Sequence, residues 1–213
     1  MAARVFLVDD HDIVRRGLAS LLAADPGLEF AGEASSSEEA MRELMKTQAD
    51  VALVDISLGG ANGLELVKSL AAIKPELPVL VVSMHDESVY AERAVRAGAR
   101  GYCAKHASIA ELRGAIKTVL SGRIHLSPAM TARMLERMQG GGAGPGDPME
   151  ELTDRELEVF ENIGQGSGTR LIAEALHLSV KTVESHRANI KRKLHIKTAP
   201  ELVRRAVLYT ALP

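Results

Sequence analysis

Residues 51–63 read Val51-Ala52-Leu53-Val54-Asp55-Ile56-Ser57-Leu58-Gly59-Gly60-Ala61-Asn62-Gly63: an unbroken apolar run, an acid, then a turn rich in small residues. The same order occurs near the start, where Val5-Phe6-Leu7-Val8 is closed by Asp9 and Asp10. Strands of parallel sheets are covered on both faces and read as continuous apolar stretches, and open α/β sheets collect ligands at their strands' carboxyl ends. Three carboxylates brought to one such edge repel one another unless a cation lies among them. The two runs therefore predict a divalent-metal pocket with one acid, Asp55, poised for chemistry.

Working outward, strands are expected at residues 4–8, 28–33, 50–55, 78–83 and 100–103. Helical patterns fall between them near 12–24, 37–47, 62–73 and 87–97, with a last one near 108–121 opened by the capping-box pattern Ser108-Ile-Ala-Glu111. Five such βα units predict an α/β, doubly wound, five-stranded parallel sheet of the flavodoxin-like type, with helices on both faces. A further helix is expected near 128–139. The stretch Gly140-Gly-Gly-Ala-Gly-Pro-Gly-Asp-Pro148 suits neither helix nor strand and reads as a linker. Beyond Leu152 every pattern is helical: a capping-box start at Thr153-Asp-Arg-Glu156, a break over Gly164–Gly168, short helices near 169–176 and 180–194 joined by His177-Leu178-Ser179, and a last helix at about 199–210. The expected divisions are residues 1–122, a connecting segment 123–149, and a small all-α helix-turn-helix domain over 150–213.

Bulk properties narrow the function classes. Of 213 residues 46% are hydrophobic but only 3% aromatic, with no Trp, so the cores must be aliphatic. A single cysteine, Cys103, excludes an internal disulfide and suits a reducing compartment. No apolar run approaches the roughly 20 residues that span a bilayer. A soluble, cytoplasmic protein without a membrane partner is expected. The net charge of −2 hides an asymmetry, because residues 1–122 hold 13 Lys and Arg against 17 Asp and Glu, whereas residues 180–213 hold 8 against 2. A basic helical tail is the electrostatic footprint of a nucleic-acid partner, although taken alone it is more often a solvated face.

Two more residues complete the acidic pocket. Ser83 ends the fourth expected strand, Val79-Leu-Val-Val-Ser83, and Lys105 follows the fifth, Gly101-Tyr-Cys-Ala-Lys105. A cation with oxygen ligands, a carboxylate, a hydroxyl and an ammonium make a phosphoryl-transfer site. Mg²⁺ would neutralise the acids and the phosphoryl oxygens, and Asp55 could attack phosphorus to form an acyl phosphate.

Through Asp9-Asp10, Asp55, Ser83 and Lys105 at their strand ends, residues 1–122 resemble the receiver domain of two-component response regulators. The resemblance implies that Asp55 accepts a phosphoryl group from a partner sensor histidine kinase. It implies that Asp10 and Asp55 ligate Mg²⁺ directly, with Asp9 acting through water and Ser57 through its backbone carbonyl. Ser83, Tyr102 and Lys105 become the switch, Tyr102 being the rotating aromatic. Two residues depart from the family pattern: Gly59, where proline is usual, loosens the loop beside the phosphoacceptor, and His106 replaces the proline that commonly follows the lysine. Cys103 reads as a small buried hydrophobe, and His11, His85 and His106, which lie near the pocket edge, as surface residues without metal-ligand spacing. Asp10-His11-Asp12 also reads D-x-D, as in haloacid-dehalogenase-type phosphatases. That alternative leaves little room for the extra cap such enzymes need, and Asp12 is explained as a first-turn charge on helix one.

In the tail, a helical projection of residues 180–194 puts Val180, Val183, Ile190 and Leu194 on one buried stripe, with Lys181, Ser185, Ala188 and Arg192 opposite. Small residues early and cations late suit a helix lying in a DNA major groove. Leu152-Thr153-x-Arg155-Glu156, Ile172-Ala173, and Leu178-Ser179-x-Lys181-Thr182-Val183-x-x-His186-x-x-Asn189-Ile190-x-x-Lys193-Leu194 resemble the LuxR-type DNA-binding domain of the NarL/FixJ family. That resemblance implies a homodimer on two-fold-related promoter DNA. Base-reading candidates are Glu184, Ser185 and Ala188 with Lys181 beside them, and phosphate-contact candidates are Thr182, Arg187, Lys191, Arg192 and Lys193. The whole reads as a phosphorylation-controlled transcriptional regulator, with RNA polymerase a further partner to consider. The alternatives are a DNA-binding or anti-activator protein whose Asp55 never carries phosphate, and the D-x-D phosphatase.

Overall fold

The computed structural model describes residues 1–59, 61–138 and 148–211. Two compact units emerge, Met1–Gly141 and Gly142–Pro213. The first alternates strand and helix: β1 (Ala3–Val8), α1 (Asp12–Ala23), β2 (Leu28–Ala34), α2 (Ser37–Leu44), β3 (Val51–Val54), β4 (Ser57–Leu58), β5 (Ala61–Asn62), α3 (Gly63–Ile73), β6 (Val79–Ser83), α4 (Glu87–Ala97), β7 (Gly101–Ala104), α5 (Ile109–Leu120) and α6 (Pro128–Met138). Five strands form one sheet in the order β2-β1-β3-β6-β7, and every pairing is parallel. This is the doubly wound sheet expected from the apolar runs.

The register explains why the acids meet. Val8 pairs with Val54, so Asp9 and Asp55 leave neighbouring strands at the same level, and the Asp55 amide donates to the Val8 carbonyl at 2.9 Å. Alternate residues Val5, Leu7, Val51, Leu53, Leu80 and Val82 form one core layer with Leu112, Ile116 and Val119 of α5. The intervening Phe6, Val8, Ala52, Val54 and Val81 are equally buried, which is why the strands carry no polar alternation. The Ser108–Glu111 capping box is present at α5 as expected.

Three features depart from the expectations. The turn after Asp55 contains a small antiparallel ladder, β4 with β5, that composition alone did not announce. Helix α6, expected within a connecting segment, packs on α4: Met130 is buried, the Ser127 amide donates to the Glu87 carboxylate at 2.8 Å, and Arg133 donates to the Ser88 carbonyl at 3.0 Å. The residues leading into α6 run beside β7, where the His125 carbonyl accepts from the Tyr102 amide at 2.9 Å and the His125 amide donates to Arg100. Gly101 permits that approach, since a β-carbon there would lie 2.7 Å from the His125 carbonyl oxygen. Residues 140–147 of the expected linker lie outside the described residues, and Pro148–Glu151 form a 3₁₀ turn.

The second unit is helical: α7 (Asp154–Gly164), α8 (Thr169–Ala175), α9 (Val180–Lys193) and α10 (Ala199–Thr210). Thr153 and Glu156 form the expected capping box at α7. Helices α8 and α9 are joined through His177, which adopts a left-handed backbone (φ 50°) and lets the Leu178 amide return to the Ala173 carbonyl at 2.8 Å. Val183, Ile190 and Leu194 are buried as the helical projection requires. Val180, expected in the same stripe, is exposed because it opens α9 directly after the Ser179 cap. No helix among the described residues is long and apolar enough to cross a membrane.

Candidate functional site

At the carboxyl edge of the sheet, Asp9 and Asp55 are almost wholly buried, with 2% and 3% of their surface exposed. The Lys105 ammonium bridges them, lying 2.6 Å from Asp9 Oδ2 and 2.7 Å from Asp55 Oδ2. Lys105 is placed there by β7 pairing with β6, its own amide donating to the Ser83 carbonyl at 2.8 Å. Burial pushes the Asp55 pKa upward, opposed by Lys105 and by the Ser83 hydroxyl. Burial works against the Lys105 ammonium as well, but the attraction of Asp55 and Asp9 outweighs it and raises that pKa.

Asp55 Oδ1 is buried and has no hydrogen-bond partner, and Asp10 Oδ1 is in the same condition. A buried carboxylate oxygen left without a donor is costly, so two of them facing one pocket call for a cation. One ligand atom from each of Asp9, Asp10, His11 and Asp55 lies within 4.8 Å of the others. The donor set is therefore compatible with a divalent ion.

The loop after Asp55 closes over this pocket. Gly63 is required there, because a β-carbon would sit 1.9 Å from the Asp55 carbonyl oxygen, and its amide donates to Ile56. The Gly59 amide donates to Asp10 Oδ2 at 2.9 Å. Gly59 was expected to loosen this loop, whereas its N–H, which a proline would lack, ties the loop to the acid pair.

The switch residues are gathered around His85. Ser83 is fully buried, and its hydroxyl accepts from the His85 amide at 3.3 Å. Tyr102 is buried with its hydroxyl donating to the His85 carbonyl at 2.6 Å, and burial holds its phenol well above the usual tyrosine range. The His85 ring contacts Tyr90 at 4.5 Å between centroids, and its Nε2 lies 3.0 Å from Ser57 Oγ. Tyr102 thus faces inward, between the phosphoacceptor pocket and α4.

His11 and His85 were expected as surface residues near the pocket edge; His11 is exposed there, whereas His85 is half-buried. His11 Nδ1 lies 2.6 Å from Asp10 Oδ1. The signal for His11 was its position directly after two strand-end acids. For His85 the position two residues after Ser83 placed it near the edge, but its contact with Ser57 comes from loop geometry. Arg15 was also missed: it is mostly buried and donates to the Asp9 carbonyl at 2.8 Å, steadying the first strand end. Asp12 is directed elsewhere, half-exposed and paired with Arg16 at 3.0 Å and Arg15 at 3.3 Å, so the D-x-D pair does not converge. Cys103 is buried, as expected, and burial raises its pKa to about 11, so it is a packed thiol and not a nucleophile.

On α9, Lys181, Glu184, Ser185, Ala188 and Arg192 are exposed on one side, and Thr182, Arg187 and Lys191 flank them half-buried. The Thr182 hydroxyl lies 2.7 Å from Ser179 Oγ at the helix start, and the Ser185 hydroxyl bonds back to the Lys181 carbonyl. Lys193, expected at a phosphate, points into the domain, its ammonium 2.6 Å from the buried carboxylate of Glu156. Burial alone would raise the Glu156 pKa, but Lys193 and the Thr153 amide hold it below the usual range. Arg155 performs the neighbouring task, pairing with buried Glu158 at 2.6 Å and donating to the Leu176 carbonyl at the α8–α9 turn. His186 is half-buried, and its pKa is lowered by that burial.

The chain matches two family models: the response regulator receiver domain over residues 5–117, and bacterial regulatory proteins of the luxR family over residues 150–206. It is 34% identical over 209 residues to the oxygen regulatory protein NreC of Staphylococcus carnosus (strain TM300), covering 96% of each chain. A LuxR-family two-component response regulator from Aurantimonas sp. SI85-9A1 is 35% identical, with a TM-score of 0.60 over 65% of this chain and 99% of that one. The response regulator ChrA of a heme-sensing two-component system is 30% identical, with a TM-score of 0.52 over 98% of both chains.

Proposed function

This chain belongs to the response regulators that join a receiver domain to a LuxR-type DNA-binding domain, and from that membership we propose that Asp55 is the phosphoacceptor through which a sensor histidine kinase controls promoter binding by this cytoplasmic protein. The protein is a DNA-binding transcriptional regulator and not an enzyme. The observation that carries the role of Asp55 is its orphaned buried oxygen: one carboxylate oxygen is held by Lys105 and the other, Oδ1, has no partner. In the proposed transfer the Asp55 carboxylate attacks the phosphorus of a phosphohistidine. A P–O bond forms as the P–N bond breaks, and the departing imidazole takes up a proton. Lys105 then pairs with a phosphoryl oxygen, and the Ser83 hydroxyl turns toward the new group.

The residues present fit a divalent cation, and Asp9, Asp10, Asp55 and the Ser57 backbone carbonyl would hold Mg²⁺. When bound, it supplies charge neutralisation for the acids and the incoming phosphoryl oxygens. The receiver is proposed to span residues 1–122, a connecting segment 123–149, and the DNA-binding domain 150–213. The exposed side of α9 enters the major groove of double-stranded promoter DNA. Glu184, Ser185 and Ala188 with Lys181 meet base edges, while Thr182, Arg187, Lys191 and Arg192 meet phosphates. A homodimer on two-fold-related half-sites is the binding form, and bound there it is placed to contact RNA polymerase.

Coupling runs through bonds already described. Tyr102 is tied to the His85 carbonyl by its hydroxyl and to the His125 carbonyl by its amide, and Glu87 holds the Ser127 amide at the start of α6. Movement of Ser83 therefore acts on α4, β7 and the segment that leads out of the receiver. The test treats wild type and Asp55→Asn with a small phosphodonor and Mg²⁺ and measures oligomeric state and promoter affinity. Wild type should respond and Asp55→Asn should not. Equal responses from both proteins overturn the phosphoswitch.

A further inference from the structure

The acidic pocket contains a donor that phosphoryl transfer does not use. His11 is anchored at its rim, its amide donating to Asp9 Oδ1 at 2.8 Å. Its ring Nδ1 lies 2.6 Å from Asp10 Oδ1 and 3.4 Å from Asp9 Oδ1. Yet Asp10 Oδ1 is a buried oxygen that makes no hydrogen bond. The approach is close but misaligned for a hydrogen bond, so both atoms are left facing the pocket.

Three further facts point these atoms at one ion. Asp55, 3% exposed, directs a second unpartnered oxygen, Oδ1, into the same pocket. One ligand atom each from Asp9, Asp10, His11 and Asp55 falls within 4.8 Å of the rest. Bonds of about 2.0–2.4 Å to a common ion place opposite ligands roughly 4.0–4.8 Å apart, so the four fit one coordination sphere. Lys105 lies on the Oδ2 oxygens of Asp9 and Asp55, which leaves the Oδ1 oxygen of each residue clear of the ammonium.

We propose that His11 is a nitrogen ligand to the cation of this pocket, giving the receiver a preference for later first-row ions such as Co²⁺ and Ni²⁺ over Mg²⁺. The proposal rests on the reading of the pocket as a divalent-cation site. Mg²⁺ demands oxygen ligands and keeps its water, so an imidazole adds nothing to its affinity. Imidazole suits later first-row ions, whose affinities rise from Mn²⁺ through Co²⁺.

The test uses the full chain, stripped with chelator and titrated calorimetrically with Mg²⁺ alone and with Co²⁺ alone. Wild type, His11→Ala and His11→Gln are compared, and the visible Co²⁺ spectrum reports the ligand atoms. The expected result is a loss of about tenfold or more in Co²⁺ affinity in both variants, within the 10–100-fold range typical for disturbing a metal site. The Co²⁺ spectrum should change, and the Mg²⁺ dissociation constant should move less than about twofold, since no Mg²⁺ ligand is lost. An unchanged Co²⁺ affinity overturns the proposal. So does an equal loss for both ions, which would make His11 a residue that orients Asp10. Failure of Mg²⁺ to bind wild type while Co²⁺ binds would instead overturn Mg²⁺ as the cation of the phosphoacceptor site.

Discussion

Replacing Lys105 by Met tests how the acidic pocket is balanced. The side chain keeps its length and apolar stem but loses the ammonium 2.6 Å from Asp9 and 2.7 Å from Asp55. The Lys105 side chain is 10% exposed and those of Asp9 and Asp55 3% and 4%, so little water reaches the place it vacates. Removing one partner of a buried ion pair typically costs about 3–5 kcal/mol, because the other charge stays behind uncompensated. In wild type, burial already raises the Asp55 pKa against the pull of Lys105. A group raised in the folded state contributes stability that is fully present below its unfolded value of 3.8 and is lost as pH rises through the folded value. Without Lys105 that loss deepens, so the destabilisation should be larger at pH 8 than at pH 5. Amide exchange of β3 and β6, followed by peptide mass in chelator, reads this opening free energy directly. At about 1.4 kcal/mol per tenfold, exchange should accelerate roughly a hundredfold or more at pH 8. Saturating Mg²⁺ should reverse much of it by mass action, about 2.7 kcal/mol at a hundredfold excess over the dissociation constant. Wild-type exchange in Lys105→Met under chelator at pH 8, or acceleration that Mg²⁺ leaves untouched, would refute the electrostatic account.

The remaining expectations can be checked separately. Lys181→Ala with Arg192→Ala should weaken promoter binding and lower the salt slope by about one per phosphate contact removed, measured by titration over a range of salt. Lys193→Met should instead destabilise the helical unit by about 3 kcal/mol, seen in amide exchange of α7 and α9, by stranding Glu156. The Glu156 pKa is lowered in the fold, so its contribution is present above 4.5 and lost as pH falls through the folded value, and wild-type α7 should open in acid. Gly59→Pro should cost about 1–2 kcal/mol by removing the N–H that meets Asp10, and metal titration should show weakened binding.

The sheet and most helices were legible because burial on both faces leaves no choice of residue type. Val5–Val8, Val51–Val54 and Val79–Val82 could not be polar, and the acids at their ends could not be accidental once three shared an edge. The capping boxes at Ser108 and Thr153 were legible for a similar reason, since each pattern satisfies orphaned amides within four residues. Lys193 shows the limit of pattern reading. A cation late in a basic helix looks like a phosphate contact until the fold brings Glu156, 37 residues earlier, to within 2.6 Å. Only tertiary pairing distinguishes a cation that serves DNA from one that serves the core.

Gly59 and His85 mark the second limit, because their roles lie in backbone and loop geometry. Reading Gly59 as a loosened proline position considered only conformational freedom, whereas a proline also forfeits a donor, and here that donor reaches Asp10. His85 contributes through its amide to Ser83, its carbonyl to Tyr102 and its ring to Ser57 and Tyr90, and the two backbone interactions would survive substitution by any residue but proline. The backbone at position 85 thus joins the phosphoacceptor loop to the switch, while the imidazole reaches Ser57 and packs on Tyr90. A His85→Ala protein should accordingly keep Tyr102 inward and retain a phosphodonor response, measurable as dimerisation, while losing what the ring's contacts with Ser57 and Tyr90 provide. If His85→Ala abolishes the response while Asp55 still accepts phosphate, the ring and not the backbone carries the signal.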